Sequence, residues 1–191
     1  MSRIAWSRGT WTHPPLEVVE ADEALRVTAV EGSDAWRLTS YGFIHDSEHA
    51  LLVPFAPDTA VEVEFDAVFT EQFDQAGIFL SADAEHWVKA GVEFADGVLH
   101  LGAVVTDHRS DWSVAPVPAW AGRRLVVRVS WAGDALTVRA AVAGEPWQLV
   151  RVIPWTATTA SAGPFVCAPT RSGLTVTFHD WRNTAPDQAL H

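Results

Sequence analysis

The feature that most constrains the fold of this chain is a recurring alternation of apolar and polar residues between closely spaced turns. Turn-forming Gly, Pro and Asp residues recur about every 6 to 12 positions, and no long stretch has the period of an amphipathic helix. In one such stretch Val61, Val63 and Phe65 fall on one face. Glu62 and Glu64 fall on the other, which is typical of a strand with one solvated face. The sequence therefore predicts an all-β fold, a jelly-roll sandwich of two antiparallel sheets.

Length and composition predict a single domain. The chain has 191 residues, of which 48% are hydrophobic and 19% charged, a composition that supports one substantial core. We expect this domain to span residues 1–182. The last residues, 183–191, are mostly polar, so we expect them to form a frayed tail.

The charge balance argues against polyanionic partners, and the cysteine content and the first residues favour the cytoplasm. Thirteen basic residues stand against 24 acidic ones, a formal net charge of −11, so we expect no nucleic acid and no anionic membrane as a partner. No apolar run is long enough to span a bilayer. The single cysteine, Cys167, excludes an intrachain disulfide, and the first residues lack a signal-peptide pattern. We therefore expect a cytoplasmic protein.

Residues 74–111 contain three consecutive predicted strands, Asp74–Ser81, Trp87–Phe94 and Val98–Thr106. Asp96 and Gly97 form a two-residue hairpin signal that sets the register of the second and third strands. The longer loop at 82–86 sets the register of the first and second strands. The resulting rows across one face are Gln75–Glu93–His100, Gly77–Gly91–Gly102, Phe79–Lys89–Val104 and Ser81–Trp87–Thr106. The opposite face is uniformly apolar and is predicted to face the core.

A row of three glycines leaves a trough, since glycine is a poor strand residue unless something approaches the backbone closely. We expect a ligand site there, on the general rule that concave surfaces with a few polar groups bind ligands. The structural alternative is a buried polar network of Glu93, His100 and Gln75 that fixes the strand register. Lys89 would then pair with an acidic residue on a neighbouring strand, and Trp112 would fill the trough. The candidate ligand-binding residues are Gln75, Gly77, Trp87, Lys89, Gly91, Glu93, His100, Asp111, Trp112 and Tyr41.

Catalytic and metal motifs are weak in this sequence. Eight histidines match no zinc spacing, and we expect no metal site and no cofactor. Asp107 and His108 offer loop ligands, but turn capping explains them equally well. Glycoside hydrolysis needs two carboxyl groups, and the central strand supplies only Glu93 on its polar face. A non-catalytic role is therefore favoured.

Five ordered motifs resemble a known family. They are Ala35-Trp36-Arg37 with Tyr41-Gly42-Phe43, Asp74-Gln75-Ala76-Gly77, Trp87 to Glu93, Ser110 to Ser113, and Cys167-Ala168-Pro169-Thr170. Together they resemble the domain-of-unknown-function family that includes the regulation-of-enolase protein, and the resemblance covers nearly the whole chain. It implies a concanavalin A-like lectin/glucanase sandwich. It implies no settled ligand and no catalytic residues, and His100 lies outside its motifs.

Three functions follow as hypotheses. The first is a non-catalytic binding module for a carbohydrate or similar small polar ligand on the concave sheet, with Trp87 stacking and Glu93 and Gln75 bonding hydroxyl groups. The second is a glycan-active hydrolase or lyase that uses Glu93 with His100 or Asp111. The third is a protein-interaction or regulatory module, in which exposed tryptophans such as Trp120 or Trp155 form an interface and a homodimer is one expected partner.

Overall fold

A computed structural model describes residues 2–190, except for the side chain of Ala67. These residues form strands joined by turns, together with two short 3-10 helices at Trp6–Arg8 and Pro118–Trp120, and they contain no α-helix. His191, one of the histidines counted above, lies outside the described residues. The strands are β1 Ser2–Arg3, β2 Thr10–Trp11, β3 Glu17–Ala21, β4 Ala24–Thr28, β5 Ala35–Arg37, β6 Ile44–Asp46, β7 His49–Phe55, β8 Thr59–Ala67, β9 Gln75–Ser81, β10 His86–Ala95, β11 Val98–Asp107, β12 Arg109–Pro116, β13 Leu125–Ala132, β14 Ala135–Val142, β15 Gln148–Pro154, β16 Ala160–Cys167 and β17 Thr175–Thr184.

Two large antiparallel sheets confirm the predicted sandwich. One sheet has the order β15-β14-β13-β8-β17-β4-β3, with β1 added beside β17. The other has the order β12-β11-β10-β9-β16-β7-β2. Strands β5 and β6 form a separate two-stranded hairpin. Among residues 2–190, no helix is long and apolar enough to span a membrane.

The core lies between the two large sheets and is built from the alternating apolar residues of their inner faces. Val63 and Phe65 of β8 and Ile78 and Leu80 of β9 are fully buried there. The outer face of β8 is less exposed to solvent than expected, since Glu62 is only 6% exposed. Its carboxylate pairs with Arg128 of β13 and Arg182 of β17, so ion pairs cover this face.

The predicted register of β9, β10 and β11 is confirmed. Glu93 lies opposite Gln75 on one side and His100 on the other, and Gly91 lies between Gly77 and Gly102. A two-residue turn at Asp96 and Gly97, both with positive φ, joins β10 to β11. The outer face of the seven-stranded sheet therefore carries the predicted rows.

Two peripheral segments extend the sheets. Strand β12, Arg109–Pro116, lies at the edge of the seven-stranded sheet and pairs with β11 along its whole length. Strand β17 runs to Thr184, beyond the expected domain boundary at residue 182. The residues after it are tied to the sheet, because the Asp187 carboxylate accepts hydrogen bonds from Arg128 and Arg139 at 2.9 and 3.0 Å.

Candidate functional site

The β5–β6 hairpin lies against the outer face of the seven-stranded sheet and covers part of it. The Lys89 ammonium group donates to Oδ1 of Asp34, just before β5, at 2.7 Å and to the Ala35 carbonyl oxygen at 3.0 Å. On the far side of the hairpin, the Arg37 amide donates to the Ser110 hydroxyl at 2.9 Å. The hairpin is therefore anchored to both β10 and β12.

A cavity of about 310 Å³ lies between this hairpin and the sheet. Its size falls at the lower end of the range of small-ligand pockets. The wall combines aromatic side chains with a few polar ones. The lining residues are Gly32, Asp34, Trp36, Tyr41, Phe43, His45, Phe73, Gln75, Lys89, Glu93, Val104, Trp112 and Pro169.

The glycine row is explained by the close approach of neighbouring strands. A Cβ on Gly77 would meet the carbonyl oxygen of Ala90, and a Cβ on Gly91 would meet that of Ala76. Phe165 of β16 lies opposite Gly77 and is only 2% exposed, so a large apolar side chain occupies one end of the trough. A recess of about 20 Å³, room for about one water molecule, remains beside Gly91 and Gly102.

Lys89 and Asp34 form a buried ion pair at the base of the cavity. Oδ1 of Asp34 also accepts a bond from the Ala35 amide at 2.8 Å and a longer one from Nε2 of Gln75 at 3.4 Å. Burial is the largest influence on Lys89 and opposes its charged form, but the neighbouring acidic groups, Asp34 first among them, together outweigh it, and the pKa of Lys89 is raised. Lys89 is therefore paired with an acid, as in the structural alternative, but the acid precedes β5 and does not lie on a strand next to β10.

Glu93 is the polar group with the most unusual environment in the cavity wall. Its Oε1 atom is buried and has no hydrogen-bond partner among the described residues. Burial raises the pKa of Glu93 to about 7, against the lowering effect of nearby Lys89; Asp34 adds to the rise. A buried acceptor without a donor is costly, and a ligand hydroxyl group would satisfy it.

Aromatic side chains line the opposite wall. Tyr41 stacks on Phe43 with ring centroids 5.2 Å apart, and Trp36 packs edge-on against Tyr41 at 5.8 Å. Tyr41 is 62% exposed and Trp112 is 42% exposed. Rings that are held in place and remain accessible are suited to stacking against the apolar face of a ligand.

Some of the predicted site residues lie elsewhere. Trp87 is 5% exposed and stacks on Phe79, so its ring belongs to an aromatic cluster on the sheet. It is therefore not placed to stack on a ligand in this cavity. His100 lies beside Glu93 as predicted, but its Nδ1 bonds the carbonyl oxygen of Val98 at 2.9 Å, and its side chain is not part of the lining. Gly77 lies opposite Phe165 on the neighbouring strand and is not part of the cavity lining.

The remaining carboxyl candidates are occupied by structural contacts. Asp111 pairs with Val105 and so alternates with Trp112 onto the opposite face of β12, where it accepts a bond from Arg151 at 2.8 Å. Asp74, which directly precedes β9, is fully buried and paired with Arg171. Neither supplies a second carboxyl group to the cavity.

The tryptophans proposed for a protein interface are not available. Trp120 and Trp155 are each 7% exposed, because both pack against the main core. The exposed indoles are Trp112 and Trp147, at 42% and 40%.

Several lining residues were missed as site candidates. Asp34, His45 and Phe73 received no role from the sequence, although Asp34 directly precedes the family motif that begins at Ala35. Trp36, Phe43 and Pro169 belong to the quoted motifs but were not named as binding residues. The signal that could have found them is the convergence of these motifs on one surface.

Comparisons with known proteins identify relatives along nearly the full chain. A family described as "Protein of unknown function (DUF1349)" matches residues 11–186. The chain is similar to a Saccharomyces cerevisiae protein named "Regulation of enolase protein 1", with 37% identity over 187 residues, covering 97% of this chain and 94% of that protein. The crystal structure of a functionally unknown protein from Saccharomyces cerevisiae has a TM-score of 0.90 and 35% identity, covering 96% of this chain and 100% of that one.

A more distant structure shares the fold alone. A carbohydrate-binding module, CBM66 from Bacillus subtilis, has a TM-score of 0.58 and 11% identity and covers 93% of this chain and 96% of its own. The resemblance read from the sequence motifs is confirmed by the full-length family match and by the relative at 37% identity. This chain belongs to the DUF1349 family of proteins of unknown function.

Proposed function

We propose that this protein is a non-catalytic binding module for a small polyhydroxylated ligand of the carbohydrate class. The ligand occupies the cavity between the β5–β6 hairpin and the outer face of the seven-stranded sheet. The observation that carries the proposal is the buried Oε1 of Glu93, an acceptor without a donor in the wall of a 310 Å³ cavity.

The other walls supply complementary contacts. The Tyr41 and Trp112 rings are accessible and can cover the apolar face of a sugar ring. Gln75 lines the cavity beside Glu93, and its Nε2 already donates to the Phe73 carbonyl oxygen at 3.1 Å. Lys89 already donates to Asp34 and Ala35, so its main role is to hold the hairpin in place.

The fold is compatible with this proposal, since a carbohydrate-binding module shares it. A cytoplasmic location remains part of the proposal and is favoured by the single, buried, unpaired Cys167. Association into a homodimer stays a prediction.

Isothermal titration with a panel of neutral mono- and disaccharides tests the proposal. We expect one saccharide class to bind, and we expect Trp112→Ala to weaken its binding at least tenfold. Trp147→Ala is the matched control, because Trp147 is equally exposed but lies outside the cavity. Absence of binding to every sugar, or equal losses in the two variants, would contradict the proposal.

A second candidate function rests on one specific observation. The cavity brings Asp34 close to Glu93, so two carboxyl groups line the same space, as glycoside hydrolysis requires. The raised pKa of Glu93 suits a general acid. Against this, Oδ1 of Asp34 is engaged by Lys89 and the Ala35 amide. Release of reducing sugar from a bound saccharide, lost in Glu93→Gln while binding is retained, would select the hydrolase.

A further inference from the structure

Two histidines from separate turns meet at one end of the seven-stranded sheet. His86 begins β10 after the loop that follows β9, and His108 lies in the tight turn between β11 and β12. Since β10 lies between β9 and β11, both turns are at the same end. The two imidazole rings are 4.7 Å apart between centroids. Their sequence separation matches no metal motif, so only the fold brings them together.

Both imidazoles direct a nitrogen toward the same carboxylate. Nε2 of His86 lies 3.2 Å from Oδ1 of Asp107, and Nε2 of His108 lies 3.7 Å from that atom. One ligand atom from each of these three residues lies within 4.8 Å of the other two. Around a tetrahedral ion with bonds of about 2.0 to 2.1 Å, ligand atoms lie about 3.3 Å apart. Small side-chain rotations would therefore bring all three onto one ion.

The other nitrogen of each ring is held by a second carboxylate. Nδ1 of His86 is 2.8 Å from Oδ1 of Asp83, and Nδ1 of His108 is 2.9 Å from Oε2 of Glu85. A proton on Nδ1 that is donated to a carboxylate leaves the Nε2 lone pair free. This carboxylate–imidazole arrangement is the usual outer shell of histidines that bind metal ions.

The outer carboxylates are themselves fixed. Oδ1 of Asp83 accepts bonds from the backbone amides of Glu85 and His86 at 2.8 and 2.9 Å. The Glu85 carboxylate pairs with Arg37 of the β5–β6 hairpin. The amide of His108 donates to the Glu85 carbonyl oxygen at 2.9 Å, which links the two turns.

We propose that Nε2 of His86, Nε2 of His108 and a carboxylate oxygen of Asp107 bind a divalent transition-metal ion of the Zn²⁺ class. Asp83 and Glu85 act as positioning residues that set the tautomer of the two imidazoles. Three protein ligands leave a fourth coordination position for water or a bound molecule.

A second cavity adjoins this cluster. It measures about 340 Å³ and is lined by His86 and Asp107 together with Trp155 and residues near it. The indole Nε1–H of Trp155 is buried and has no hydrogen-bond partner among the described residues. The cavity beside the proposed ion therefore has room for an exogenous ligand, and an unpaired donor belongs to one of its lining residues.

A different arrangement of protons would explain the same contacts. If His86 is an imidazolium, it bridges Asp83 and Asp107 as a surface ion pair and has no lone pair for a metal ion. The two arrangements predict different results. Only the metal site binds a metal ion, and only there does removal of an outer carboxylate weaken metal binding.

The test titrates the full-length protein with Zn²⁺ by calorimetry at pH 7.5, and with Co²⁺ by visible absorption. We expect one ion per chain and the d–d bands of four-coordinate Co²⁺. His86→Gln and His108→Asn should each weaken Zn²⁺ binding at least tenfold. His108 has a φ of 57°, in the left-handed region that asparagine adopts more readily than most residues, so asparagine is the replacement. Glu85→Gln leaves all three ligands in place and should weaken binding about tenfold.

The matched control is His13→Gln. His13 belongs to the other described group of histidine and carboxylates, with Asp46 and Glu48. Its replacement should leave Zn²⁺ affinity unchanged within about twofold. If His108→Asn fails to fold, Asp107→Asn takes its place. The proposal is overturned if no ion binds at one per chain, if His13→Gln weakens binding as much as His86→Gln, or if Glu85→Gln has no effect.

Discussion

Lys89 of β10 and Asp34 before β5 form a 2.7 Å ion pair across 55 residues of chain. The Lys89 side chain is 5% exposed and that of Asp34 is 21% exposed. This pair fixes the β5–β6 hairpin to the sheet and so creates the cavity between them. The shape of the candidate site therefore depends on this ion pair together with the bond from the Arg37 amide to Ser110.

The first prediction concerns this pair. Lys89→Met and Asp34→Asn should each lower the free energy of unfolding by about 3 kcal/mol, because each leaves one buried partner without its counter-charge. The double variant should lose less than the sum of the two single variants. Urea denaturation of the four proteins measures this coupling. Additive losses would show that the pair does not act as a unit.

The second prediction is the pH dependence caused by Glu93. Burial raises the folded-state pKa of Glu93 to about 7, above its unfolded value of 4.5. Its contribution to stability is therefore fully present below pH 4.5 and is lost as the pH rises through about 7. Glu93→Gln should match the native protein at pH 4.5 and exceed its stability at pH 8, by at most about 3 kcal/mol.

Urea denaturation at pH 4.5 and pH 8 measures this difference. Glu17→Gln is the control, because Glu17 is an exposed carboxyl group on β3. An equal effect of pH on the native protein and on Glu93→Gln would show that Glu93 does not carry the predicted cost.

The third prediction concerns His49, which is 2% exposed. The Val30 amide donates to its Nε2 at 3.0 Å, so the ring proton is on Nδ1, facing the His13 carbonyl oxygen at 3.1 Å. Burial lowers the pKa of His49 below 6.5. Its contribution to stability is present above pH 6.5 and lost as the pH falls through the folded-state pKa. An NMR titration of the imidazole should show the Nδ1–H tautomer, and a pKa at or above 6.5 would contradict this assignment.

The fourth prediction addresses the glycine row. Gly77→Ala and Gly91→Ala should each lower stability by at least about 2 kcal/mol, because the new Cβ meets a backbone carbonyl of the neighbouring strand. Gly122→Ala is the comparison, since its Cβ would meet nothing within 4 Å and only its φ of 70° opposes the change. It should cost about 1 kcal/mol. Thermal denaturation would contradict the prediction if all three variants were equally stable.

The fifth prediction concerns the C-terminal residues. Asp187 accepts bonds from Arg128 and Arg139, whose side chains are 10% and 16% exposed. Asp187→Ala should lower the free energy of unfolding by about 1 to 3 kcal/mol, since it removes the carboxylate shared by two largely buried guanidinium groups, although Arg128 keeps its pair with Glu62. Glu20→Ala is the control, because Glu20 is an exposed carboxyl group on β3. An unchanged unfolding midpoint in Asp187→Ala would instead support a frayed tail.

The alternation of apolar residues, the Asp96-Gly97 turn and the loop at 82–86 were sufficient to predict the sandwich and the pairing of β9, β10 and β11. All three are local signals, because a short turn or loop sets the register of the strands that it joins, and side chains alternate from there. The rows that contain Glu93, Gly91 and Lys89 could therefore be read directly from the chain.

What covers those rows was decided only by the tertiary structure. The position of Asp34 over Lys89, the packing of Phe165 against Phe79 and the meeting of His86 with His108 join parts of the chain that turns do not connect directly. Alternation places a side chain on a face, but contacts between distant segments decide whether that face is open, paired or filled. The sequence determined which residues share the outer face, and packing of the β5–β6 hairpin determined which of them line a cavity.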